Sequence, residues 1–237
     1  MGSFLNVLVF RTHDEQPFFR GRSKCIKCEV PIAWYDLIPV LSFFLLRKRC
    51  RNCKSAISWQ YPLVELVTGL LFLGLWLRPD FAIEYLVRDA IFTIFLIVLF
   101  VYDLKYQLLL DRFTIPAMIA ALLLNLFLGV PVWSMLVGAI VLGGFFLGQY
   151  WISKGKWIGD GDIRMGALMG LMLGLEHGLV ALFLAYVLGA TVGLILIVSK
   201  KAKMHTQIPF GTFLALTTFV SLLWGEQIVN WYLNLFM

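Results

Sequence analysis

The sequence predicts an all-α polytopic membrane protein, and three observations carry that reading. Of the 237 residues, 60% are hydrophobic and only 14% are charged. Mean hydropathy is +0.85, and a soluble domain has too much surface to cover with so few charges. The apolar residues fall in runs that approach the roughly 20 residues a helix needs to cross hydrocarbon. The basic residues gather in alternate connections between those runs.

The runs, in order, are 63–77, 82–102, 113–129, 132–152, 165–175, 179–199 and 209–236. Residues 1–10 are apolar but too few to span, so they read as a partial first segment, making about eight segments in all. Run 165–175 is also short and is expected to borrow residues from its flanks. Run 37–46 is interrupted by Pro39 and reads as a core or interfacial piece. The domain reading is thus a partial segment over 1–10, a polar loop over 11–60 and a transmembrane bundle over 61–237.

Loop 11–60 holds ten Lys/Arg, Arg20 and Arg22 among them. Alternation places Lys105, Arg112, Lys154, Lys156, Arg164, Lys200, Lys201 and Lys203 on the same side. That side carries 18 of the 20 basic residues, and only Arg78 and Arg88 lie opposite. The positive-inside rule makes the basic side cytoplasmic. The net charge of +6 then reports topology, and no nucleic-acid partner is expected. The alternation also supports 165–175 as a true crossing, because only then do Asp162 and Lys200 share a side.

Four cysteines form two CxxC pairs in the cytoplasmic loop, Cys25/Cys28 and Cys50/Cys53. Two such knuckles fit a tetrahedral four-thiolate zinc site, and a reducing cytoplasm disfavours structural disulfides. A redox role would more often come as one CxxC in a βαβ pattern, which is absent. A closed four-cysteine site leaves no position for a reacting water, so the metal's expected role is to fold the loop.

Fourteen acids remain to be weighed. Asp14, Glu15, Glu29 and Asp36 lie in the loop and read as solvated. Asp80, Glu84, Asp89, Glu176 and Glu226 fall near the outer boundary, where Arg88 and Asp89 are expected to be locally solvated. Asp103, Asp111, Asp160 and Asp162 stand at the inner boundary, at the lips of apolar runs, where ionised groups are costly and usually functional. Asp111 and Asp162 could equally cap the helices that follow them. Gly159 and Gly161 tilt the second site toward function, because they allow a tight turn or close approach that a plain cap does not need. Paired carboxylates can hydrolyse a peptide without a covalent step, one as base on water and the other as acid. Glu65, inside a run, reads either as a carboxylate that orients the loop, through a loop arginine, or as part of a binding site. His13, His177 and His205 have no ligand spacing.

These residues, taken together, resemble the type IV prepilin peptidases, membrane aspartyl proteases with a GxGD signature. The likeness runs nearly end to end: Gly2-Ser-Phe-Leu-Asn-Val7, Cys25-x-x-Cys28, Asp36-Leu-Ile-Pro39, Cys50-x-x-Cys53, Tyr61-Pro-Leu-Val-Glu65, Asp103-x7-Asp111, Gly159-Asp-Gly-Asp162 and Ile208-Pro-Phe-Gly211. The resemblance implies cleavage of prepilin and pseudopilin leaders, as in type IV pilus and type II secretion systems, at the cytoplasmic face of the bacterial inner membrane. It implies catalysis by Asp111 and Asp162, with Asp103 and Asp160 supporting. It further implies S-adenosylmethionine-dependent N-methylation of the new N-terminus, linked to the cysteine loop. Three departures stand out. A longer apolar stretch usually precedes Gly2-Ser3, Leu110 stands where Pro is common, and Lys48 stands where Gly is common. The last weighs on methylation more than on cleavage. A peptidase without methyl transfer, and a zinc-loop membrane assembly or transport protein, are the competing readings.

Overall fold

A computed structural model of the chain describes residues 1–14, 23–78, 82–201 and 208–235. Glu15, Arg20, Arg22, Asp80, Lys203 and His205 lie outside the described residues. The described chain is helical, with two isolated β-bridges and no strand. It forms two compact units, Met1–Leu77 and Arg78–Met237.

The first unit holds α1 (Gly2–His13), a 3-10 turn (Trp34–Leu37), α2 (Leu41–Leu45) and α3 (Gln60–Trp76). The motif at the start of α1 is explained by its packing on α3. A Cβ on Gly2 would lie 2.7 Å from the Cα of Glu65, so only glycine permits the approach. One turn later, the buried Asn6 donates to the Tyr61 carbonyl at 3.3 Å. Phe10 stacks on the Tyr61 ring, with centroids 5.2 Å apart. The run around Pro39 is split between the 3-10 turn and α2, and of α2 only Phe43 is buried, against Trp59.

The second unit holds α4 (Ile83–Tyr106), α5 (Asp111–Phe127), α6 (Val132–Ser153), α7 (Asp160–Val198) and α8 (Phe210–Asn234). Helix α7 has 39 residues and would measure about 58 Å if straight. It is not straight, because Gly174 takes φ 73° and ψ −170° inside it. The partners on α6 reveal what happens there. A Cβ on Gly166 would meet Leu142, one on Gly170 would meet Gly138, and one on Gly174 would meet Ser134. After the break the order reverses: Gly178 faces Leu142, and Tyr186 hydrogen-bonds Gln149 at 2.8 Å. The element is therefore a helical hairpin, α7a (160–173) and α7b (175–198), with its turn at Gly174. These halves correspond to the expected runs 165–175 and 179–199, and α7a does begin earlier than its apolar run, at Asp160.

Elements α4, α6, α7 and α8 are long and apolar enough to cross a membrane, which makes this an integral membrane protein. Helices α3 and α5 have 17 residues each and α1 has 12, or about 26 and 18 Å against a hydrocarbon core of roughly 30 Å. Helix length alone does not carry the count of eight crossings.

Contacts along the second unit separate its two ends. Tyr102 meets Phe113, Asp103 meets Thr212, and Asp111 meets Arg164 at one end. Arg88 meets Asn125, and Asn125 meets Leu171 and Met172, at the other.

Candidate active site and metal centre

The four acids at the first end come from three helices. Helix α4 delivers Asp103 one turn before it stops, and Gln107 closes it in the left-handed conformation at φ 54°. Four residues on, α5 opens with Asp111, while α7a opens with Asp160 and Asp162. The residue that binds these starts together is Leu109. A Cβ on Gly161 would lie 2.7 Å from the Leu109 Cβ, and a Cβ on Gly211 would lie 2.9 Å from both Leu109 Cδ1 and Asp103 Oδ2. The 107–110 connection is thus wedged against the N-termini of α7 and α8 through two glycines. Gly161 serves close approach, whereas Gly159 has an ordinary extended conformation and room for a side chain.

Each acid has a different environment. Asp103 is buried and accepts the Thr212 backbone N–H at 2.6 Å, so it caps α8 from another helix. Asp162 is 8% exposed and accepts the Gly159 N–H at 3.2 Å. That is one half of a capping box, and glycine has no side chain to supply the other half. Asp103 and Asp160 are the acids whose charges bear on Asp162, and no cation pairs with it among the described residues. The helix N-terminus favours the negative charge there. Asp111 makes no side-chain cap to α5; its carboxylate is 56% exposed and paired with Arg164. Arg164 also pairs with Asp160, one turn before it in α7a.

At the other end stands an acid of a different kind. Asp89 is 1% exposed, so the expected local solvation does not hold; two arginines replace water. Arg78 Nη1 donates to Oδ2 at 2.7 Å and Arg88 Nε to Oδ1 at 2.8 Å. Arg88 also reaches Asn125 Oδ1, and Asn125 Nδ2 donates to the Leu171 carbonyl at 2.7 Å. That carbonyl is freed by the helix break at Gly174.

In the first unit the four cysteine sulfurs lie within 4.8 Å of one another. Tetrahedral zinc with bonds of about 2.3 Å sets sulfurs about 3.8 Å apart, and Cys25 and Cys53 are 3.7 Å apart. The two knuckles repeat each other. A bridge joins Lys24 to Pro31 and another joins Arg49 to Ala56, and each knuckle ends on a left-handed residue, Glu29 or Lys54. Backbone N–H groups of Cys28 and Lys27 draw the Cys25 thiol down to about 6, toward the thiolate a metal needs. Donor set and spacing fit zinc. Arg51, inside the second knuckle, grips Asp36 through two bonds of 2.8 and 2.7 Å and holds its carboxyl below the usual range. Glu65 accepts the Val40 N–H at 2.8 Å. Its partner is therefore loop backbone rather than a loop arginine, and it ties the loop to α3. Lys48, where glycine was the expected residue, has φ 62° and lies 4.2 Å from the centre of the Trp59 ring.

Leu109, Asn125 and the role of Arg164 were not drawn from the sequence. Two signals were available: the Asp160–Arg164 spacing, i to i+4 on a helix, and Asn125 as a lone amide inside an apolar run. Comparison with known proteins follows the same division of the chain. Residues 1–79 match the model of the bacterial peptidase A24 N-terminal domain, and residues 90–194 match that of the type IV leader peptidase family. A protein of Aeromonas salmonicida (strain A449) is 36% identical, covering 99% of this chain and 90% of its own. One of Aeromonas hydrophila is 33% identical over 100% and 91%, and one of Bacillus subtilis (strain 168) is 28% identical over 99% and 94%. All three carry the name prepilin leader peptidase/N-methyltransferase. No solved structure matches the chain.

Proposed function

The chain belongs to the type IV leader peptidase family, and on that premise we propose that it cleaves the leaders of prepilins and pseudopilins with Asp111 and Asp162. The observation that carries this is the Leu109 wedge, which ties the start of α5 to the starts of α7 and α8. It keeps two acids of separate helices at one end of a membrane bundle. One carboxylate takes a proton from water as the oxygen attacks the scissile carbonyl. The other, protonated, donates to the carbonyl oxygen, and the leaving nitrogen is protonated as the tetrahedral intermediate collapses. Two carboxylates brought together share a proton because both cannot stay ionised. Asp103 fixes the start of α8 beside them, and Asp160 occupies the guanidinium of Arg164.

In this reading the acids face the cytoplasm of a bacterial inner membrane, as the basic-residue distribution implies. Zinc bound by Cys25, Cys28, Cys50 and Cys53 supplies folding energy to the loop. The Arg51–Asp36 pair and the Glu65–Val40 bond carry that order to α3. The relatives' shared name supports methyl transfer from S-adenosylmethionine as a second step, and Lys48 does not exclude it, because its backbone already takes the conformation that glycine favours. A transport or assembly role leaves without purpose the Leu109 wedge and an Asp162 that, among the described residues, has no cation partner.

Purified protein incubated with a prepilin is the test. Asp111→Asn and Asp162→Asn each abolish cleavage, and processing by either would exclude the pair. Metal analysis is expected to give one zinc per chain, lost in Cys50→Ser; a ratio well below one contradicts the four-cysteine site.

A further inference from the structure

We infer that Arg164 is a positioning residue that restrains Asp111, so that release from its guanidinium precedes assembly of the carboxylate pair. The inference rests on the assignment of Asp111 and Asp162 as that pair.

Position on the helix carries the first part. Arg164 and Asp162 are two residues apart in α7a, or about 200° around the axis. Side chains at those positions leave opposite faces. Arg164 shares its face with Asp160, one turn away, and toward that face it draws Asp111. Asp162 points elsewhere, into the buried side where Asp103 caps α8. As long as Asp111 is held by Arg164, its carboxylate is on the wrong face of α7a to share a water with Asp162.

Accessibility carries the second part. Asp111 is 56% exposed and Asp160 70%, and Arg164 is 32% exposed. Exposed ion pairs are weak and screened by salt, so this contact can open on the timescale of turnover. Asp160 makes the exchange feasible. When Asp111 leaves, Arg164 keeps a carboxylate partner one turn away and is not stranded. The same guanidinium therefore serves two acids, one that stays and one that goes. Asp160 assists Asp111 by competing for Arg164.

Opposite signs follow for the two partners of Asp111. Turnover at saturating prepilin is measured in a neutral detergent across a range of salt. Arg164→Gln removes the restraint and raises kcat about threefold at low salt, the effect of an exposed ion pair. It also flattens the rise of kcat with salt that the wild type shows. Asp160→Asn leaves Asp111 as the one carboxylate partner of Arg164 among the described residues and lowers kcat by a similar factor. Arg164→Lys, which keeps the charge but loses the two-pronged guanidinium, falls between. A fall in kcat for Arg164→Gln, or equal salt dependence in wild type and variant, overturns the restraint. Should Arg164→Gln not accumulate as folded protein, the Asp160→Asn sign and the wild-type salt response decide alone. Asp111→Asn is assayed alongside. If it cleaves, the pair assignment itself fails; if it is inactive while Arg164→Gln is not faster, only the restraint fails.

Discussion

Asp89 and Asp162 are both buried carboxylates in membrane-spanning helices, at opposite ends of one bundle, and they are treated in opposite ways. Asp89 receives two guanidiniums, and through Arg88 and Asn125 it reaches the carbonyls freed at the Gly174 break. The carboxylate there is fully paired, and the cluster pins the turn of the α7 hairpin. Asp162 receives one backbone N–H and, among the described residues, no cation. The cation nearest in sequence, Arg164, is spent on Asp111 and Asp160. A buried acid with full pairing is what a fold needs. A buried acid left short of partners is what a reaction needs.

The largest effect is expected where that contrast is removed from the reactive end. Asp111→Asn keeps the size and loses the acid, and the rate of prepilin cleavage falls by about a thousandfold, the scale of a lost general acid or base; folding is expected to be unaffected. At the paired end the outcome reverses. Asp89→Asn leaves two arginines short of charge, and chemical unfolding in detergent should record a loss of about 2–3 kcal/mol, moderated because Arg78 reaches solvent. Next in size, Gly161→Ala forces a Cβ to within 2.7 Å of Leu109. It should displace the start of α5 and cost about tenfold or more in kcat, as small misplacements do. Gly159→Ala, with open space around it, serves as its control and should lose far less. Smallest is Asn125→Leu, which strands the carbonyls at the hairpin turn and lowers stability by about 1–2 kcal/mol. Equal effects of the two glycine changes on cleavage would blunt the contrast between wedge and open turn.

Much of this was legible in the sequence because membrane crossing and metal binding leave strong local signals. Apolar run length located the helices, and the short run 165–175 corresponds to α7a, which begins earlier, at Asp160. Cysteine spacing located the four-cysteine cluster that could hold a metal, which is a local property of two knuckles. What stayed hidden depends on which helix faces which. Leu109 looks like any leucine until Gly161 and Gly211 are seen against it. Asp89 looked like a solvated boundary acid because nothing in sequence brings Arg78, eleven residues earlier, back onto it. Glu65 was left open between orienting the loop and forming a binding site, because backbone donors such as Val40 N–H carry no side-chain signature. Asn125, a lone amide inside an apolar run, and the Asp160–Arg164 spacing on one helix face were the usable signals among the missed residues.

Asp162→Asn, measured for both cleavage and unfolding, tests the contrast most directly. Asparagine keeps an acceptor for the Gly159 N–H and removes an unpaired buried charge. The expected result is a cleavage rate lower by about a thousandfold with stability equal to or above that of the wild type. A variant that still cleaves prepilin, or one that unfolds as readily as Asp89→Asn, would contradict the assignment of Asp162 as the reactive acid.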